Sequence, residues 1–170
     1  MSSFTDFDPT TSVIKNEYAS SIFGKEYRVV TKPFIYQVGD LKSNVYIAIA
    51  RGYITDGASV PSFLNPLLPA WGEYGAAAIV HDYLCEHLTV VSFGQEKRIT
   101  RRQADDIFYE AMGVLKVPTW KRRLFWLAVR LWAVTTNTTE PKFSMKKQKT
   151  QAELANYFNA NGNYNYGITK

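Results

Sequence analysis

The sequence predicts an α+β fold, a small antiparallel sheet followed by three helices. Between residues 26 and 50, three short runs rich in Val, Ile and Tyr nearly alternate in polarity, which favours half-buried strands. From residue 73 to 134 the apolar spacing changes to a helical period. The flanks, 1–24 and 135–170, are polar and read as an N-terminal and a C-terminal arm around one globular domain at 25–134.

Composition supports a folded domain. Hydrophobic residues make up 46% and charged residues 21%, which excludes a wholly disordered chain. A chain of 170 residues can bury a core without disulfides or a structural metal. The single cysteine, Cys85, excludes an intrachain disulfide and with it a disulfide-stapled secreted fold.

The strands are expected at 26–30, 34–38 and 45–50, the first two joined through Thr31-Lys32-Pro33 and the third following the turn signal Gly39-Asp40. Residues 53–69 then read as a loop, with prolines at 61, 66 and 69 around Gly57. The first helix, 73–88, places Ala77, His81, Leu84 and Leu88 on one stripe. Residues 89–99 read as a loop. Thr100-Arg101-Arg102-Gln103 has the form of a capping box and opens a helix to about residue 115. Val117-Pro118-Thr119 breaks that helix and starts the third, 120–134. This last helix is apolar nearly all round, which implies cover on both sides, from the arms or from another subunit. Only a short amphipathic stretch at 153–158 stands out in the C-terminal arm.

Chemistry concentrates at Asp56-Gly57-Ala58-Ser59, at His81-Asp82 and at Asp105. On its apolar stripe His81 is expected to be buried, and a buried imidazole needs a partner for its ring N–H. Asp105 flanks the apolar stripe of the next helix and is the candidate partner, whereas Asp106 points towards solvent. Asp82 lies about 100° around the helix from His81 and can face the Asp56-Gly57 turn. Carboxylates with turn carbonyls suit a hard cation such as calcium. His81 would then be a general base held by Asp105, and the cation on Asp82, Asp56 and Gly57 would polarise an ester carbonyl.

These residues carry two resemblances. Asp56-Gly-Ala-Ser-Val-Pro61, His81-Asp-Tyr-Leu84 and Ala104-Asp105 with Phe108 are together similar to a family of phage and prophage proteins known as a domain of unknown function, over about residues 25–134. That resemblance implies a bacteriophage origin and assigns no activity. More distantly, the arrangement resembles the secreted phospholipases of the A-two type, which carry His-Asp on one helix, an orienting Asp on the next and, in microbial members, an Asp-Gly-Cys-Ser loop upstream. By that resemblance His81 is the base, Asp105 its orienting carboxylate, Asp82 a calcium ligand and the 56–59 loop the rest of the calcium site. The chain departs from it at Ala58, which replaces the loop cysteine, and at Leu84-Cys85, where the motif has its tyrosine.

Plainer readings stand beside these. His81-Asp82 also reads as a structural pair, and Asp56-Gly57 as ordinary turn chemistry. Ser59 lacks the surroundings of a nucleophile elbow, and His81 and His87 fall on different helix faces, against a zinc pair. Lys121-Arg122-Arg123 reads as a solvated run or as a contact for phosphates or an acidic partner. Trp120, Trp126 and Trp132 do not share one face and read as core and interface anchors. The net charge of +5 is too small to call for nucleic acid.

Two functions follow: a calcium-dependent hydrolase of an ester such as a phospholipid, or a non-enzymatic virion structural protein of tail, connector or accessory type. The hydrolase needs an apolar rim near His81, for which Trp71 and residues 62–68 are the candidates, and a membrane surface as partner. The structural protein would meet other virion proteins through its arms. The N-terminus has no signal-peptide pattern, so synthesis in the host cytoplasm is expected, with the virion as a destination. The longest apolar run, 124–134, contains Arg130 and has about half the roughly 20 residues of a bilayer span.

Overall fold

Two antiparallel sheets occupy most of the N-terminal half of the chain, and helices complete the second half, in a computed structural model that describes residues 3–5, 12–58, 71–142 and 144–163. The α+β class is as the sequence predicts. The larger sheet contains β1 (Ser3–Thr5), β4 (Phe34–Gln37), β5 (Val45–Ile49), β7 (Thr89–Ser92) and β8 (Gln95–Arg98), in the order β1-β4-β5-β7-β8. The smaller has β3 (Arg28–Val30) between β2 (Val13–Lys15) and β6 (Ile54–Thr55). The first two expected strands therefore belong to different sheets.

Alternation explains the larger sheet. Phe34 and Tyr36 point inward opposite Ile49 and Ile47, while Ile35 and Ala48 face outward. Residues 89–99 are not a loop but the β7–β8 hairpin. Its turn residues Phe93 (φ 51°) and Gly94 (φ 76°) both lie in the left-handed region, the backbone of a primed two-residue turn. Gln95-Glu-Lys-Arg98 is exposed along its whole length and so shows no apolar alternation. The hairpin is held by its turn and by pairing of β7 with β5.

Helices α2 (Gly75–His87), α3 (Arg101–Val114) and α4 (Thr119–Thr135) match the three expected, and α3 packs between the other two. The Thr100–Gln103 capping box forms as the sequence predicts. Ala77, Leu84, Phe108, Ala111, Met112 and Phe125 join the inner face of the larger sheet in one hydrophobic core.

The flanks carry more structure than their composition suggests. α1 (Glu17–Phe23) and α5 (Met145–Asn161) pack with the smaller sheet around Ala19, Tyr27, Val29, Ile54 and Leu154. Polar contacts do much of the attachment. Gln151 Oε1 accepts the Ile54 N–H at 2.9 Å, Tyr18 Oη donates to Glu153 at 2.6 Å and Lys146 Nζ donates to the Ile22 carbonyl at 2.7 Å. A helix docked this way needs little apolar stripe, so only its 153–158 portion stood out in the sequence.

Candidate active site

His81 and Asp82 lie in the second turn of α2, and the larger core sets their directions. His81 falls on the buried stripe, 7% exposed, with its ring stacked on Phe108 at 4.6 Å between centroids. Its Nε2 lies 2.7 Å from Oδ1 of Asp105, which has no exposed surface at all. α3 thus delivers the carboxylate that the sequence assigned to His81, and Asp106 faces solvent beside Trp126 and Arg102.

Asp105 is held on both oxygens. Arg101 Nε reaches Oδ1 at 3.2 Å and Arg130 Nη1 reaches Oδ2 at 2.9 Å. Burial disfavours the Asp105 anion, but the His81 hydrogen bond and charge and the two guanidinium groups outweigh it, so its carboxyl pKa is lowered. Burial likewise disfavours the imidazolium of His81. Cys85 and Asp105 outweigh that effect and raise the ring pKa above its ordinary value.

The tautomer follows. An ionised carboxylate with two arginine partners only accepts hydrogen bonds, so the ring nitrogen beside it carries the proton. When His81 is neutral, Nε2–H donates to Asp105 and the lone pair lies on Nδ1. No described residue hydrogen-bonds Nδ1, and His81 lines a cleft of about 490 Å³. That volume is ordinary for a small-molecule site. Cys85 Sγ also touches Nε2, at 3.5 Å. Because Nε2 bears the proton given to Asp105, the thiol gains no base there.

Asp82 turns to the other side. Its Oδ2 accepts from Thr55 Oγ1 at 2.5 Å, and Thr55 Oγ1 in turn accepts the Gly57 N–H at 3.0 Å. Gly57 is buried at φ 77°, a backbone a side chain would strain. Burial and then the nearby Asp56 charge push the Asp82 carboxyl up to about 7, against Lys147, Thr55 and His81. Lys25 pairs with Asp56. Asp56, Gly57, His81 and Asp82 all line the same cleft, and Asp105 supports it from behind.

Two donor sets could hold a metal. His81, Cys85 and Asp105 bring ligand atoms within 4.8 Å of one another. The guanidinium groups on both Asp105 oxygens oppose a cation there. The Asp56 and Asp82 carboxylates have the better chemistry, since their mutual repulsion would be relieved by a hard cation in place of Lys25.

Other expectations resolve locally. His87 Nδ1–H donates to the Tyr83 carbonyl at its own helix end at 2.9 Å, and His87 is not in the His81-Cys85-Asp105 group. The expected rim is not at Trp71, whose ring lies 4.2 Å from the Arg28 guanidinium. Residues 62–68 and Ser59 lie outside the described residues. Instead α4 supplies the apolar wall of the cleft through Phe125, Ala128, Val129 and Trp132. The sequence reading missed the two arginines. Arg101 precedes Asp105 by four residues on a helix, and Arg130 is the charge inside the apolar run, so both had a signal. Lys147, which pairs with Glu86 and donates to Tyr53 Oη at 3.1 Å at the cleft wall, had none.

Fold and site together define an α+β protein with a buried His-Asp-Arg cluster at one wall of an open cleft. The model of a family of unknown function, DUF1353, matches residues 28–129, more than half of the chain, and the chain belongs to that family. No curated protein and no solved structure matches it. Among the described residues no helix is long and apolar enough to cross a membrane.

Proposed function

We propose that the chain is a phage-encoded hydrolase that cleaves a carboxylic ester, a phospholipid being the substrate class, with His81 as general base. The observation that carries this reading is the placement of His81: Nε2 is fixed on Asp105 at 2.7 Å, and Nδ1, without a described partner, belongs to a ring lining the cleft. Nδ1 takes a proton from a water, whose oxygen attacks the ester carbonyl carbon. The proton then passes to the departing alkoxide, giving an alcohol and a carboxylic acid, which ionises by releasing its proton to solvent. Asp105 is a positioning residue that holds the tautomer and favours the imidazolium. Asp82, Asp56 and Gly57 are the residues that would hold calcium, which when bound would supply positive charge against the developing oxyanion. The phage origin rests on the resemblance of the Asp56–Pro61, His81–Leu84 and Asp105 strings.

The test is fatty-acid release from mixed phospholipid vesicles by purified protein, in calcium and in chelator, beside His81→Gln. Release that needs both calcium and His81 supports the reading; no release under any condition removes it. A second reading, a non-enzymatic virion protein with the cluster serving only the fold, is favoured by one observation: a face of α4 is left open. It predicts no hydrolysis and stable binding to another virion protein.

A further inference from the structure

α4 was expected to be covered on both sides, but only Phe125 and Ala133 are buried in it. Trp120, Leu127, Leu131 and Val134 are 55%, 57%, 66% and 66% exposed. At about 100° per residue these four fall within roughly 60° of arc, a continuous apolar stripe directed away from the core. Trp132, 53% exposed, stands between this stripe and the cleft that it also lines.

The exposed charges flanking the stripe, Arg123 on α4 and Lys116 before it, are positive, whereas Lys121 pairs with Glu73, Arg130 with Asp105, and Arg122 packs on Tyr109. α4 carries no acidic residue. A second copy laid on this face would bring Arg123 of both helices together with no carboxylate of α4 to answer it, Arg130 being held by Asp105. An anionic lipid surface complements both features: its acyl region takes the Trp and Leu side chains and its headgroups the cations.

We propose that the exposed face of α4 is a docking surface for anionic bilayers, and that it sets the mouth of the cleft against the lipid. The proposal rests on the hydrolase reading for its purpose and on the α4 surface for its physical basis. A helix lying in the interface with Leu127 and Leu131 inserted keeps Ala128 and Trp132, roughly a quarter to a third of a turn away, near the lipid boundary, with Val129 deeper in the cleft wall. An acyl chain leaving the bilayer there meets the apolar wall on its way to His81. Trp120 and Trp132 suit the headgroup boundary, where an amphipathic ring is favoured.

The experiment measures co-sedimentation of His81→Gln protein with vesicles of phosphatidylglycerol and phosphatidylcholine, and with phosphatidylcholine alone, so that no hydrolysis disturbs binding. Binding to the anionic vesicles, weakened by salt and reduced roughly tenfold or more in the Leu127→Glu/Leu131→Glu variant, is expected. Circular dichroism of that variant should be unchanged, because neither side chain is in the core. No binding to anionic vesicles, or equal binding by the variant, overturns the proposal. So does a dimer in solution that the double substitution converts to monomer, which would assign the face to a second copy. Binding without ester hydrolysis by the unsubstituted protein would remove the hydrolase reading and leave the docking surface in place. Turnover of a water-soluble ester without vesicle binding would do the reverse.

Discussion

His81 and Asp82 are adjacent on one turn of α2, yet their surroundings differ in kind. The His81 side is over-determined: one carboxylate, two guanidinium groups and an aromatic ring fix the imidazole. On the Asp82 side two carboxylates line the same cleft, Asp82 held by the Thr55 hydroxyl and Asp56 by Lys25 with Lys147 also near Asp82, and the Asp82 carboxyl pKa is still raised. The difference teaches what each half can do. A group satisfied in one geometry is preorganised, and a cluster left with excess like charge is poised to take up a counter-ion.

The heaviest blow to this arrangement is Asp105→Asn. It leaves Arg101 and Arg130 without their buried anion, which costs about 3–5 kcal/mol. For a chain of this size that is a fall in melting temperature of roughly 6–20 °C. The effect depends on pH. Because the folded-state pKa of Asp105 is lowered from 3.8, its contribution is present above the unfolded value and disappears as pH falls through the folded one. The gap between the native protein and Asp105→Asn, measured by thermal unfolding, should therefore be widest between about pH 4 and 6, narrowing below as Asp105 takes up a proton and above as His81 loses the proton that Asp105 helps it hold. A gap that stays constant down to pH 2 would contradict the ion-pair account.

Next in size is His81→Gln, which should lower kcat/KM for ester hydrolysis by about 10²–10⁴ while moving the melting temperature much less than Asp105→Asn does. A base whose pKa is raised acts only after deprotonation, so the rate in the native protein should climb with pH well beyond the ordinary histidine range. A plateau reached by about pH 7 would sink that assignment.

The Asp82 side responds differently. Calcium at about a hundred times its dissociation constant should stabilise the native protein by about 2.7 kcal/mol. Differential scanning calorimetry should show that shift vanish in Asp82→Asn. In chelator the same variant should melt no lower than the native protein, since burial and Asp56 both oppose the Asp82 charge. A variant that melts lower in chelator and still responds to calcium would reverse the comparison. The smallest effect on stability is reserved for Cys85→Ser, at under about 1 kcal/mol with hydrolysis retained and its rise with pH moved to lower pH, because Cys85 helps raise the His81 pKa while His81 stays held by Asp105. Loss of activity in that variant would point to a thiol nucleophile instead.

Periodicity made the central helices legible, along with the meeting of His81 and Asp105. Ala77, His81, Leu84 and Leu88 share a stripe whose burial forces the imidazole to find a partner on α3. The hairpin at 89–99 escaped because β8 is wholly exposed and its turn depends on left-handed Phe93, a residue type that gives no turn signal. α5 escaped because Gln151, Glu153 and Lys146 attach it by hydrogen bonds rather than by an apolar stripe. The apolar excess of α4 was visible, but composition cannot distinguish a side buried in the protein from one left open, as Leu127 and Leu131 are.

The most direct test is the protonation state of His81 followed by nitrogen NMR of labelled protein across the alkaline range. The ring should lose a single proton from Nδ1, at a pH above the ordinary histidine value, with Nε2 protonated throughout and hydrogen-bonded to Asp105. A neutral ring carrying its proton on Nδ1, or one titrating as an unperturbed histidine, would contradict the arrangement on which the proposed chemistry stands.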